Sequence, residues 1–235
     1  RMISLNRKPR RQACGGYWEK LRKSFDDLDT LRQRLDYQPA LLAVCALAAS
    51  LLLGMGDLVT KGPIAERQAE DLKATLGQVL PEGIYDNDVL AEPRLIPSTG
   101  EETGLEQTEV FIAKKGSEVT AVAFKMLATG GYAGDLTLML GVDREGKILG
   151  ARVIAHAETP GLGDKVETSK SNWILGFNGR SLSNTSAQAW RVKKDGGDFD
   201  QFAGATITPR AVVKGVEGGL KFFERHRREL LAATD

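Results

Sequence analysis

Leu136-Thr-Leu-Met-Leu-Gly-Val-Asp143, then Arg144-Glu-Gly146 and Lys147, then Ile148-Leu-Gly-Ala-Arg-Val-Ile-Ala155 is the stretch that settles the fold. Leu136, Leu138, Leu140 and Val142 alternate with their neighbours, the period of a strand with one buried face. The Asp143-Arg-Glu-Gly146 turn reverses the chain, and residues 148–155 supply the partner strand. Upstream, residues 110–113 and 118–127 run apolar or alternate around Lys114-Lys-Gly-Ser117, a second hairpin. Residues 63–80 carry Ile64, Gln68, Ala69, Leu72, Leu76, Val79 and Leu80 in helical register, and Val212, Val213, Val216, Leu220 and Phe223 recur at helical spacing near the C-terminus. Residues 92–104, with Pro93, Pro97 and Gly100, read as a loop. The expectation is an α+β domain over residues 61–235, an antiparallel sheet with flanking helices.

Two segments beside these elements carry chemistry. The strand ending at Ala155 leads into His156-Ala-Glu158-Thr159-Pro160-Gly161-Leu162-Gly163-Asp164-Lys165, a tight glycine- and proline-built loop held at a sheet edge. Further on stands Asp200-Gln-Phe-Ala203-Gly204-Ala205-Thr206, running into Ile207-Thr208-Pro209. Gly204 and Ala205 leave little bulk beside the Thr206 hydroxyl, and Gly204 can take φ > 0. Thr208 followed by Pro209 reads as an N-cap with proline at the first helical position. A phosphate on Thr206 would meet unpaired N–H groups and the positive end of a helix dipole. An ordinary loop-to-helix junction has the same features, so the motif leaves both readings open.

The two segments, in this order, resemble the G subunit of the Rnf ion-translocating electron transport complex. The C subunit of the sodium-pumping NADH:quinone oxidoreductase is a related alternative. Tyr85-Asp-Asn-Asp88, Gly131-Tyr132-Ala-Gly134 and Trp190-Arg-Val-Lys-Lys-Asp-Gly-Gly197 extend the match toward the Rnf family. The resemblance implies an FMN-binding domain in which a flavin transferase esterifies FMN onto Thr206. Glu158, Thr159, Gly161, Leu162 and Gly163 would then lie against the flavin or its ribityl chain, with Gly204 and Ala205 beside the ester. Lys165 pairs with the phosphate or with solvent, and Asp200 helps the transferase hold its metal-bound donor. The family has Ser or Thr where this chain has Ala203, and Thr208 is an alternative acceptor.

The implied role is one-electron relay between an intramembrane iron–sulfur centre and the flavin of a neighbouring membrane subunit. The parent complex would be an ion-translocating ferredoxin:NAD oxidoreductase. The chain has no catalytic residue or metal of its own in this reading, because the flavin carries the chemistry. A membrane-anchored flavin sensor or assembly factor without turnover is the competing reading.

Charge and hydropathy place the domain outside a membrane. Residues 1–36 hold ten of the 32 Lys and Arg and five of the 31 Asp and Glu, a net of +5, against −4 for the remainder. Between them residues 37–56 are uncharged, about the 20 residues that a helix needs to cross a bilayer core. With 36 residues ahead of it and no clean cleavage site, the span over residues 37–60 is expected to stay as an anchor rather than leave as a signal peptide. The positive-inside asymmetry keeps residues 1–36 in the cytoplasm and sends the domain across the inner membrane, into the periplasm of a Gram-negative bacterium. The basic segment serves topology and lipid headgroups rather than nucleic acid, and its residues 25–34 read as an amphipathic helix. Cys14 and Cys45 both precede the exported domain, which excludes a disulfide or a cysteine-held cluster there. His156 and His226 are too few for a histidine metal site; His156 either touches flavin or is a satisfied structural residue, and His226 is expected at a solvated helix end.

Overall fold

The computed structural model describes residues 37–232. The basic segment 1–36, with Cys14 and the expected amphipathic stretch, lies outside the described residues. The chain divides between Glu66 and Arg67 into two compact units.

Helix α1 spans Tyr37–Val79 and is long and apolar enough to cross a membrane by length and composition. Leu41, Leu42, Leu47, Leu51, Leu52 and Leu53 are all exposed along it. The sequence pattern separates the apolar span from a second helix opening at Pro63, yet one helix runs through both. Proline in a helix interior forfeits one hydrogen bond and costs roughly 3 kcal/mol. Ala65, Glu66, Arg67, Gln68 and Ala69 after Pro63 are good helix formers, and the helix continues through them.

The second unit is an α+β arrangement, as the alternation predicts. Strands β1 (Arg94–Pro97), β2 (Gln107–Lys115), β3 (Glu118–Gly131), β4 (Gly134–Asp143) and β5 (Ile148–Ala155) form a five-stranded antiparallel sheet in sequence order. Strand β1 lies inside the stretch read as a loop. Pro93 and Pro97 hide it from a propensity reading, but a strand at the sheet margin pairs on one side only and tolerates proline there. Ile96 is buried and Pro97 sits opposite Gln107.

The alternation assigns the two faces. On one face Val110, Ile112, Val122, Phe124, Met126, Leu138, Leu140 and Val142 join a core with Val212, Val213, Val216, Leu220 and Phe223 of helix α2 (Ile207–Leu231). Phe177, Trp190 and Phe199 complete that core, with the Phe177 and Phe199 rings stacked at 4.4 Å. On the other face Phe111, Ala113, Ala121, Ala123 and Met139 pack under Leu76, Val79 and Leu80. Gly141 and Gly150 face each other across β4 and β5, and a Cβ on either would run into the backbone of Val79. These paired glycines let the end of α1 rest directly on the sheet.

Candidate functional site

The loop before α2 is shaped by aromatic packing. Trp173, in a 3-10 turn at Trp173–Phe177, donates its indole N–H to the Asp200 carbonyl at 2.7 Å, and its ring lies 5.2 Å from that of Phe202. Phe202 is buried and its carbonyl accepts the Ala205 N–H at 3.1 Å. That bond closes a tight turn with Ala203 and Gly204 at its exposed corner, Gly204 at φ +80° as the motif requires. Thr206 follows as the N-cap residue of α2. It is half-buried, and among the described residues its hydroxyl makes no hydrogen bond. The Asp200 carboxylate is exposed and lies 2.7 Å from the Lys193 ammonium. Arg210, in the first turn of α2, grips Asp195 through two bonds of 2.6 and 2.7 Å. Those bonds hold the Asp195 carboxyl below its usual range and raise the Arg210 guanidinium.

The second loop leaves β5 and makes its own turn. The Leu162 N–H donates to the Thr159 carbonyl at 3.1 Å, and Pro160 and Gly161, at φ +81°, occupy the corners that favour proline and a positive φ. The apolar end of Leu162 reaches within 3.4 Å of where a Cβ on Gly204 would stand, so the two motifs meet. Glu158 points inward. It is buried, one carboxylate oxygen accepting the Ala133 N–H at 3.2 Å and the other the Thr208 hydroxyl at 2.8 Å. Gly163 is required because a Cβ there would overlap this carboxylate. Asp164 is buried with its Oδ1 unpartnered among the described residues, while Lys165 is half-buried.

His156 is satisfied on both ring nitrogens, which supports the structural reading. Its Nδ1 accepts the Glu158 N–H at 3.1 Å, so its Nε2 carries the proton toward Glu167, 2.6 Å away. Bonds from Ser169 and then His156 hold the Glu167 carboxyl below its usual range. His226 is not the solvated residue expected: its ring packs 4.9 Å from that of Phe222.

The structure therefore brings Leu162 against the Gly204 turn that carries Ala205 and Thr206, and ties Glu158, beside Gly163, to Thr208, with Thr159 and Gly161 exposed in the same loop. Thr208 corrects the capping expectation. No side chain caps α2, and the Thr208 hydroxyl is turned inward to Glu158 instead. Nor is it presented as an acceptor, since the residue is fully buried. Tyr132 and Ile207 stand in the motifs without an assigned role at the flavin, yet each flanks a residue bonded to Glu158. With Leu162 they present exposed apolar side chains, Tyr132 at 70%, Ile207 at 45% and Leu162 at 42%. Such side chains held outward on ordered loops offer a surface for a planar apolar ring, beside a free hydroxyl at a helix N-terminus suited to a phosphate.

A model of the FMN-binding domain family matches residues 131–221, which takes in β4, β5, both loops and most of α2. Over 192 residues the chain is 50% identical to the G subunit of the ion-translocating oxidoreductase complex of Cereibacter sphaeroides, covering 82% of this chain and 85% of that protein. Its counterpart in Stutzerimonas stutzeri is 47% identical over 199 residues, 84% of this chain and 85% of the relative. That of Vibrio parahaemolyticus is 41% identical over 192 residues, 81% and 90% of the two chains.

Proposed function

We propose, from the premise that the chain belongs to the G subunit family of ion-translocating oxidoreductase complexes and has an FMN-binding domain, that it is an electron-relay subunit whose FMN is esterified to Thr206. The observation that carries this reading is the half-exposed, uncommitted Thr206 hydroxyl at the start of a 25-residue helix, on a glycine turn that touches the Leu162 loop. The donor is a flavin dinucleotide held by a flavin transferase. The threonine oxygen bonds the FMN phosphorus, the pyrophosphate bond breaks, and the nucleoside monophosphate leaves with the threonine proton.

The residues present fit such a group. The first turn of α2 carries N–H groups without intrahelical partners for the phosphate. Tyr132, Leu162 and Ile207 supply apolar surface for the ring, and the turn at Thr159, Gly161 and Gly163 supplies backbone amides and carbonyls. Lys165 stands in the same loop as a counter-charge. Bound FMN supplies electron transfer in single steps, and the protein sets its position and surroundings. An ester makes loss by dissociation impossible.

The partners are the other subunits of the complex, among them an iron–sulfur protein as donor and a second flavoprotein as acceptor. Residues 1–36 are cytoplasmic, residues 37–60 span the inner membrane once, and residues 61–235 lie in the periplasm. The support is the twenty-residue uncharged stretch and the +5 charge ahead of it.

Intact mass and in-gel flavin fluorescence of the denatured chain, coexpressed with a flavin transferase, test the attachment. The expected result is one FMN per chain in wild type and none in Thr206→Ala. Covalent flavin that survives in Thr206→Ala refutes the assignment.

A further inference from the structure

Two segments distant in sequence converge on the Glu158 carboxylate. Its Oε1 accepts the Ala133 N–H from the β3–β4 turn at 3.2 Å, and its Oε2 accepts the Thr208 hydroxyl from the first turn of α2 at 2.8 Å. The same residue's N–H is tied to His156 at 3.1 Å. Glu158 is 6% exposed and Thr208 0%. A Cβ on Gly131 would stand 2.9 Å from Oε1, so the carboxylate is enclosed as well as bonded.

A carboxylate withdrawn from water is stable only while its lone pairs are filled, and bonds to a charged acceptor are roughly twice as strong as neutral ones. No side chain caps the start of α2, and of the two side chains that anchor its first turn, Arg210 pairs with exposed Asp195 at the surface while Thr208 alone is bonded in the interior. Thr206 stands two residues ahead of Thr208, in the same turn of backbone. Whatever holds Thr208 therefore sets where the Thr206 hydroxyl points.

We infer that the buried Thr208–Glu158 hydrogen bond is a latch that positions the Thr206 hydroxyl for flavin attachment. Thr208 and Glu158 are positioning residues acting through the start of α2, neither an alternative acceptor nor, in the case of Glu158, a ligand of the flavin. The latch also joins the acceptor helix to the Leu162 loop, which follows Glu158 directly, and to Tyr132, which precedes Ala133. The two bonds to this one carboxylate thus tie the hydroxyl to the apolar side chains beside it. This inference rests on the reading of Thr206 as the attachment residue.

The test is a time course of flavin incorporation into the full chain, coexpressed with a flavin transferase in membranes and read by intact mass. Incorporation is normalised to the protease-resistant, folded fraction of each sample. Thr208→Val and Thr208→Ala remove the donor, and Thr208→Ser keeps it. The donorless variants are expected to be modified about 10- to 100-fold more slowly per folded chain, the scale of a misplacement near 1 Å. Thr208→Ser is expected to retain a rate close to wild type, and the visible circular dichroism of the attached flavin should change in the donorless variants alone. Wild-type rates in Thr208→Val or Thr208→Ala overturn the latch, as does a Thr208→Ser variant as slow as they are. A chain that takes no covalent flavin even as wild type overturns the Thr206 reading and the latch with it. Attachment to wild type with unchanged rates in the donorless variants overturns the latch alone.

Discussion

Replacing Gly150 by alanine should unseat the end of α1 from the sheet. An alanine Cβ at this position stands 2.8 Å from the Val79 Cα and 3.1 Å from the Gln78 carbonyl oxygen, both backbone atoms that no rotamer change can move aside. Overpacking of this kind costs about 1–3 kcal/mol. The backbone of Gly150 is not in the left-handed region, so alanine adds no torsional strain and recovers about 0.4–1 kcal/mol by restricting the unfolded chain. The net expectation is a loss of about 1–2 kcal/mol, or about 2–8 °C in Tm for a unit of this size. Gly77, in the same helical turn as Val79, has no atom within 4 Å of an added Cβ, so Gly77→Ala should instead stabilise the helix by about 0.5–1 kcal/mol. Urea unfolding of the full chain in detergent, followed by tryptophan fluorescence, measures both. A Gly150→Ala variant as stable as wild type, or two variants shifting in the same direction, refutes the idea that the glycine pair is a seat for Val79.

Two further outcomes follow from the packing and the charges. Phe177→Ala should cost about 3–5 kcal/mol, because Phe177 is fully buried between Trp190, Phe199 and Trp173; a change under about 1 kcal/mol in the same urea titration would contradict that core. Glu167 has a folded-state carboxyl held below its usual range by Ser169 and His156, so its stabilisation is present above the ordinary carboxylate range and fades as pH falls through the lowered value. Melting curves between neutral and acid pH should therefore show a shallower acid decline for Glu167→Gln than for wild type, and identical slopes would dismiss the contribution.

The parts of the fold legible beforehand were those governed by local period. Leu136, Leu138, Leu140 and Val142 share the face that packs on α2, and the Asp143–Gly146 turn joins β4 to β5 as read. Strand β1 was hidden because its two flanking prolines look like breakers until a neighbouring strand makes its position marginal. The span over residues 37–60 and the helical pattern over residues 63–80 read as separate elements because Gly62 and Pro63 stand between them, whereas one helix runs through both. In the site, both loops and the placement of Thr206 at a helix start were readable from turn chemistry. The role of Thr208 was not, since its partner Glu158 lies fifty residues away and a local capping rule gives it a different occupation. The glycine seat was invisible for the same reason, as Gly141 and Gly150 become a pair only once the register of β4 and β5 is known.

Each strand of the sheet pairs with the one synthesised just before it. Contacts between near neighbours in sequence close quickly and leave few unpaired edges waiting for a distant mate. Synthesis therefore completes the meander while α2 is still to come. Thr208, the partner of Glu158, belongs to that final helix and Thr206 is its N-cap, so the proposed acceptor hydroxyl reaches its place only when this last segment has docked. If FMN is esterified to Thr206 as proposed, covalent flavin there reports that the last segment of the domain has docked.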